Sequence, residues 1–583
     1  VIPLLSFTRR YGLRYVPWYV GGTLMLGATN WFAVTIPMVV ARAIDAVAEG
    51  PGGHDVVLRS AGIVAGLGVA TIVVRTLSRL LFFTPGRLVE SAVQRDLFQA
   101  VLAQQPTFLA GFPVGDLMSR MSSDVQLVRL LYGFTLLSLV NTVVAVGLTG
   151  AQMARISAPL ALASAVPLFL GFLVMMRFVG SFMTLTREIQ ERAANLSEIA
   201  LASFQGIATV HAFGGAPALV ARLETENQAM CASMIRRSNL RVAIGPVLAF
   251  AASLNVFVLL WFGGPRAIDG TLSVGDIVAF TALAGILTGP LRGMSFILSL
   301  FKQSQAAIER LDAVLLAEPQ RPDLPRPLPA PTTPPELSFR GMSFRWPGAD
   351  RDTLRGVDAT VHPGGVLGIF GATGSGKSTL LRCLMRLEDP PPGTIFANGV
   401  DVRSIDLLDW RRCVVLVPQR AFLFSETLAD NVLLGAGDPD RLADLLDTAQ
   451  LTADLAALPH GTDTLVGEAG LNLSGGQRQR AALARGLARD AKVLVLDDVL
   501  SAVDHTTERA LMVALRSRPD RPTTVIVANR ISALRHADVI VVLDKGAMVA
   551  RGTHDELVGL DGPYREACVR QSEADPTTEE VVP

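Results

Sequence analysis

Lysine is almost missing from this chain of 583 residues: of 52 basic residues only Lys302, Lys377, Lys492 and Lys545 are lysine. Arginine carries the remaining positive charge, a bias that points to a GC-rich bacterial genome. Charge as a whole is scarce, at 18% of residues against about a quarter in soluble domains, which excludes an ordinary soluble protein. Basic and acidic residues cancel to a formal net charge of zero, so nothing marks a nucleic-acid binder. The four cysteines (Cys231, Cys383, Cys413, Cys568) have neither metal-ligand nor disulfide spacing and read as reduced. Half the residues are hydrophobic and the mean hydropathy is +0.40. The apolar excess is concentrated in the first ~300 residues, and length alone predicts several domains.

A membrane helix needs ~20 mostly apolar residues. Tyr15–Ala41 has no charge before Arg42, Ser60–Val74 begins a second span, and Gly133–Ala154 and Ile156–Met176 give a third and fourth. Val242–Pro265 is a fifth, and Ile277–Leu291 begins a sixth. The span cores hold no acidic residue. An even number of spans puts both termini on one side, and Arg9, Arg10 and Arg14 ahead of the first make that side cytoplasmic. No secretory signal is recognisable. The opening residues Phe7, Arg9, Arg10, Tyr11, Arg14 and Tyr15 predict an amphipathic helix at the membrane surface. Two connections are long and charged, about 82–126 and 182–240, the second with Arg187, Glu188, Glu191, Arg192 and Glu198 at helical spacing. Both are expected on the cytoplasmic side, as helical extensions that dock onto a soluble domain.

Residues 1–318 thus form an all-α transmembrane domain. A proline-rich linker at 319–336 has no core of its own. In 337–571, strand-like runs (Val366–Phe370, Cys413–Val417, Val493–Leu496, Thr524–Ala528) alternate with helical ones, which predicts an α/β domain with a mainly parallel sheet. The acidic, apolar-poor 572–583 reads as a disordered tail.

The chemistry starts at 371–379, GATGSGKST, between an apolar strand and the helical Leu380–Arg386. Gly371, Gly374 and Gly376 let the backbone curl so that N–H groups of Thr373, Ser375 and their neighbours face phosphate oxygens. The helix opening at Lys377, Ser378 and Thr379 points its positive end the same way. Lys377 suits the terminal phosphates, and Ser378 suits Mg²⁺. Asp497, closing the buried run Val493–Leu496, suits the same ion.

With these residues the chain resembles the ATP-binding cassette exporters, in particular half-transporters of six membrane helices and one nucleotide-binding domain. The resemblance covers nearly the whole chain, and LSGGQRQR at 473–480 is its most specific mark. It implies that Ser474, Gly475, Gly476 and Gln477, at another helix N-terminus, meet the γ-phosphate of an ATP bound by a second nucleotide domain. It further implies that Trp346 stacks on adenine, with a core tryptophan as the alternative, and that Gln419 reaches Mg²⁺ and the attacking water. Glu468, in VGEAG, is implied to meet the membrane domain, and Asp504, in SAVD, to join the two ATP sites. GDLMSR at 115–120 resembles the first cytoplasmic extension, and the docking segments are expected at 111–115 and 212–217.

Two positions depart from that pattern. The family's general base, a glutamate after the magnesium aspartate, is Asp498, and its switch histidine is Asn529. Aspartate keeps the charge but stands about 1.5 Å back, and misplacement on the order of 1 Å can cost ~10²-fold. Asparagine hydrogen-bonds but carries no positive charge. The combination implies the slow-site half of a heterodimer, lending its intact signature to a partner half-transporter that carries the faster site. An importer built on this fold, or an ATP-gated sensor with little turnover, are the alternatives. The transported compound is expected to be lipophilic or amphipathic. Arg75, Arg79, Arg177 and Arg292 fall ~27–30 Å from the outer ends of their spans. There they either snorkel to the inner headgroups or give a cavity a basic rim for anionic amphiphiles.

Overall fold

The computed structural model describes residues 2–48, 50, 53–317, 327–435, 438–456, 458–467, 470, 472–499, 505–517 and 521–574. It has two compact units: Val1–Gln104 with Gly111–Glu318, and Gln105–Ala110 with Pro319–Pro583. Glu468, Asp504, the first part of the linker and the end of the tail lie outside the described residues, as does the side chain of Arg292.

Among the described residues, five long helical elements build the first unit: α1 (Val16–Ala48), α2 (His54–Ala103), α3 (Leu136–Gln205), α4 (Ala216–Ile268) and α5 (Val274–Leu315). Among the described residues, four helical stretches are long and apolar enough to cross a membrane, and Val274–Gly289 is a shorter apolar helix. The third and fourth expected spans are two helices that follow one another without a loop, and they meet at a kink within α3. All but the first three residues of the third span, and the whole of the fourth, lie in the 70 residues of α3, which break at Ser157, whose φ −159° and ψ 107° are extended. Pro159 explains the break: it offers no N–H to the turn before it and crowds the backbone on its N-terminal side.

At ~1.5 Å per residue α2 is about 75 Å long, more than twice a hydrocarbon core of ~30 Å. The long connections are therefore largely the spans themselves, prolonged as helix. Glu188 of α3 ties the second pair together, accepting from Arg192 (3.2 Å), Ser233 of α4 (2.8 Å) and Arg236 of α4 (3.5 Å). Near the end of the first extension, the buried Asp124 carboxylate takes two hydrogen bonds from Arg310 of α5, at 2.8 and 2.5 Å. Arg120 bonds Asp116 at 2.8 Å and covers the Phe112 ring.

The opening segment does more than lie on a surface. Phe7 and Tyr11 are buried with Val93, Leu97, Val125, Ile308 and Leu311, and Tyr11 donates to Asp96 at 3.0 Å. Leu5 and Leu13 remain exposed. Within the spans, polar side chains pair with one another: Asn30 with Asn141 (3.0 Å) and Ser164 with Asn255 (2.5 Å). With no water to compete, an unpaired amide there would cost several kcal/mol.

Among the described residues, the second unit is built on a ten-stranded sheet. Its strands are β1 (Leu337–Phe344), β2 (Leu354–Val361), β3 (Val366–Gly371), β4 (Ile395–Ala397), β5 (Val400–Asp401), β6 (Val414–Val417), β7 (Val493–Asp497), β8 (Thr523–Val527), β9 (Val539–Asp544) and β10 (Ala547–Gly552). Their order is β5-β4-β1-β2-β10-β9-β3-β8-β7-β6. The block β9-β3-β8-β7-β6 is parallel, as expected. The β5-β4-β1-β2 block is antiparallel, so only part of the sheet has the expected direction. β3 is buried along its whole length, which suits its continuous apolar sequence. Gln105–Ala110, just before the expected docking segment at 111–115, belongs to this unit, where Thr107 donates to Glu388 at 3.3 Å.

Candidate nucleotide site

Four neighbouring parallel strands end on one edge, and each delivers part of the site. β3 runs into the loop 371–376, β8 into Asn529, β7 into Asp497 and Asp498, and β6 into Gln419. Ile369 pairs with Val527, Val527 with Asp497, and Leu496 with Val417, so the strand ends stand level. The carboxyl ends of parallel strands are where open α/β sheets bind ligands.

The loop has the backbone that a phosphate cradle needs. Gly374 and Gly376 have φ of +83° and +100°. A Cβ on Gly376 would stand 2.6 Å from Leu354 Cδ2, and one on Gly371 would run into the Leu543 carbonyl. Gly376 caps helix α6 (Lys377–Leu384), directing the first N–H groups of the helix at the loop. Lys377 Nζ donates to the carbonyls of Gly371 (2.5 Å) and Ala372 (2.9 Å). Ser378 is exposed, Thr379 buried and Thr373 exposed. Ser375 is buried, and among the described residues its Oγ has no hydrogen-bond partner. An orphaned hydroxyl in a curl of N–H groups fits an anion.

Burial lowers the Lys377 pKa from its ordinary value, while Asp498 and Asp497 act the other way. Burial, followed by the charge of Asp498, raises Asp497, and Lys377 opposes that shift. The structure thus gathers Lys377, Asp497 and Asp498, and Gln419 joins them by donating from Nε2 to Asp498 Oδ2 at 3.0 Å. Asp498 sits at φ +49°, and its N–H bonds the Val527 carbonyl at 2.8 Å. For Mg²⁺ the expected donors are the exposed hydroxyl of Ser378, the carboxylate of Asp497 and the side chain of Gln419, whose Nε2 here donates to Asp498. So sparse a protein donor set suits an ion that keeps waters and shares the phosphates.

Trp346 is half-exposed, meeting Phe344 edge-on at 5.3 Å, with Arg382 of α6 5.6 Å over its ring. It is not a core tryptophan; that role belongs to the fully buried Trp410.

The signature opens helix α7 (Gly475–Leu487). Ser474 and Gln477 form a capping box: Ser474 Oγ accepts from the Gln477 N–H, and the Gln477 side chain accepts from the Ser474 N–H. The Gln477 amide also donates to Asp454 at 3.0 Å. Its side chain therefore shapes the turn, while the Gly475 and Gly476 backbone opens the helix. Gln479, which no sequence signal singles out, donates to the Gln419 carbonyl at 3.0 Å and so links α7 to the end of β6. Arg75, Arg79 and Arg177, in the other unit, are exposed.

Residues 20–291 match the family described as the ABC transporter transmembrane region, and residues 354–501 the family described as ABC transporter. The chain is 30% identical over 573 residues to the probable multidrug resistance ABC transporter ATP-binding/permease protein YheI of Bacillus subtilis, covering 97% of this chain and 96% of that one. It is 30% identical to the multidrug resistance-like ATP-binding protein MdlA of Escherichia coli (94% and 93% covered). An ATP-dependent lipid A-core flippase of Aromatoleum aromaticum is 32% identical (84% and 81% covered). Among solved structures, a bacterial Atm1-family ABC exporter with ATP bound is 24% identical, with a TM-score of 0.81 and 96% and 98% of the chains covered; it shows the fold.

Proposed function

The chain belongs to the ABC transporter family, and on that premise we propose that it is the slow-site half of a heterodimeric exporter in the cytoplasmic membrane. An ATP-hydrolysing domain follows a helical membrane domain on one polypeptide. The observation that carries the proposal is the pair Asp498 and Asn529, set in a site whose other parts are intact.

Lys377 leaves the Gly371 and Ala372 carbonyls to meet the terminal phosphates, and the N–H groups around Gly374 and Gly376 hold the phosphate oxygens. Ser378, Asp497 and Gln419 would hold Mg²⁺, which when bound would offset phosphate charge. Trp346 stacks on the adenine. Gln419 keeps the Asp498 carboxylate in place, but that carboxylate stands short of the water it must polarise, and Asn529 brings no positive charge to the γ-phosphate. Ser474, Gly475 and Gly476 complete the partner's site, where most turnover takes place. Glu468 and Asp504 are assigned to coupling with the membrane domain and between the sites.

The names of the relatives, multidrug resistance proteins and a lipid A-core flippase, favour export of lipophilic or amphipathic compounds. Arg9, Arg10 and Arg14 favour a cytoplasmic nucleotide domain. Arg75, Arg79, Arg177 and Arg292 serve either as a basic rim for such compounds or as headgroup anchors.

The test is purification from native membranes in mild detergent. The expected result is one-to-one recovery with a second six-span cassette chain bearing glutamate and histidine at the positions of Asp498 and Asn529. Recovery only as a dimer of this chain overturns the proposal.

A further inference from the structure

The last described helix, α9 (Pro563–Ala574), touches two of the four strand ends that make the nucleotide site. At its start the buried Tyr564 meets Phe370 edge-on at 5.2 Å, and Phe370 directly precedes the phosphate loop. The Tyr564 hydroxyl also pairs with His554 Nδ1 at 2.9 Å, which fixes the start of the helix. Two turns on, the Gln571 side chain bridges the turn that follows β8. Its Nε2 donates to the Asn529 carbonyl at 2.9 Å, and its Oε1 accepts from the Ile531 N–H at 2.9 Å.

One primary amide thus holds the backbone on both sides of Arg530, and residue 529 is set by it. A second grip comes from helix α8 (His505–Ser517). The buried Glu508 accepts from Ser532 at 2.8 Å and pairs with Arg530 at 3.7 Å. The turn bearing Asn529 is therefore held from two helices, although its side chain has lost the charge of the family's histidine.

We propose that Gln571 is a positioning residue for the side chain at 529, so that α9 sets how this chain's site distinguishes ATP from ADP. The proposal rests on the reading that residue 529 faces the γ-phosphate. A terminal amide suits the task because it offers a donor and an acceptor a fixed distance apart, matching a carbonyl and an N–H two residues on. Aspartate or glutamate would present only acceptors to the Asn529 carbonyl.

The test uses the full chain in its native assembly. Competition of ATP and of ADP against a photoreactive azido-nucleotide that labels this chain gives both affinities. Gln571→Ala is expected to lower the preference for ATP over ADP roughly fivefold, the loss of about one neutral hydrogen bond, with ADP affinity unchanged. Gln571→Glu keeps the acceptor for Ile531 but sets a carboxylate oxygen against the Asn529 carbonyl, so it should lower the preference at least as far as Gln571→Ala. Asn529→Ala should give a similar loss, and the double variant no more than either single one. An equal loss of ATP and ADP affinity would mean a merely structural role and would overturn the proposal. So would an unchanged preference, or fully additive losses. If Asn529→Ala itself leaves the preference unchanged, residue 529 does not face the γ-phosphate and the positioning role falls with it. None of these readouts needs turnover or a particular partner, so they stand apart from the heterodimer test.

Discussion

Asp498→Glu with Asn529→His should turn a slow ATP site into a working one, and the size of the gain follows from geometry. Asp498 Oδ2 lies 3.0 Å from Gln419 Nε2, which fixes where the short carboxylate ends. One more methylene moves it about 1.5 Å forward. A shift of that order is worth ~10²-fold, or about 2.7 kcal/mol of barrier. A charged rather than a neutral hydrogen bond from residue 529 adds ~1 kcal/mol, roughly fivefold. The two changes act on one transition state and do not simply multiply, so the expected gain is about 10²–10³-fold. A small stability cost accompanies it. Residue 498 has φ +49°, a region aspartate enters more readily than glutamate, so about 1 kcal/mol should be lost.

Total ATPase would hide this gain behind the partner's faster site. The assay must therefore be site-resolved: a single turnover of photoreactive azido-ATP, with label on this chain separated into ADP and ATP. The native chain should retain mostly ATP and the double variant mostly ADP. A hydrolysis rate on this chain within threefold of the native one would refute the reasoning.

Gly376→Ala should abolish nucleotide labelling, because φ +100° costs ~1–3 kcal/mol for a side chain and the new Cβ would press on Leu354. Asp497 gives a pH dependence. Its pKa is raised above the ordinary 3.8, mainly by burial, so its carboxylate gains a proton earlier than usual as pH falls. Mg²⁺-dependent nucleotide binding should accordingly weaken on acidification at a pH above that of an ordinary aspartate, and Asp497→Asn should remove the dependence. The same raised pKa means that the folded state holds this proton more tightly than the unfolded chain. Asp497 therefore makes folding less favourable as pH rises from 3.8 through its folded pKa, and Asp497→Asn should stabilise the nucleotide-free protein at neutral pH in thermal unfolding. Arg310→Ala strands the buried Asp124 carboxylate. Because Arg310 is itself half-exposed, the loss should be about 1–3 kcal/mol rather than the full cost of breaking a buried pair, and adding Asp124→Ala should recover much of it in thermal unfolding.

The phosphate loop and the parallel strands were legible because their signals are local: an apolar run, a glycine-rich turn and a helix start follow one another in sequence. The antiparallel block was harder to read. Arg355 and Gly356, both exposed, break the alternation of β2, and nothing local shows that β1 lies between β2 and β4. Asp498 and Asn529 could be read as departures, but not their partners. Gln419 and Gln571 lie 79 and 42 residues away from them, beyond the reach of any periodicity. The opening segment misled for a different reason. Phe7 and Tyr11 form one apolar face, and that pattern is the same whether the face meets lipid or protein. In α3 the boundary between the third and fourth spans, read between Ala154 and Ile156 where Arg155 separates two apolar runs, falls within a few residues of the kink at Ser157.

The position of β3 also governs how this protein must be made. It sits between β8 and β9, and both neighbours come late in the chain. Synthesis must add about 150 residues after β3 before β8 appears, roughly 8–30 s at ~5–20 residues per second. During that interval Val366–Gly371, apolar throughout and later buried on both faces, has no strand to pair with on either side. The antiparallel block, built from nearby segments, can close early. A nascent chain of this protein therefore carries an adhesive strand through much of its production, and a message cut short between the codons for residues 371 and 523 would release it unprotected.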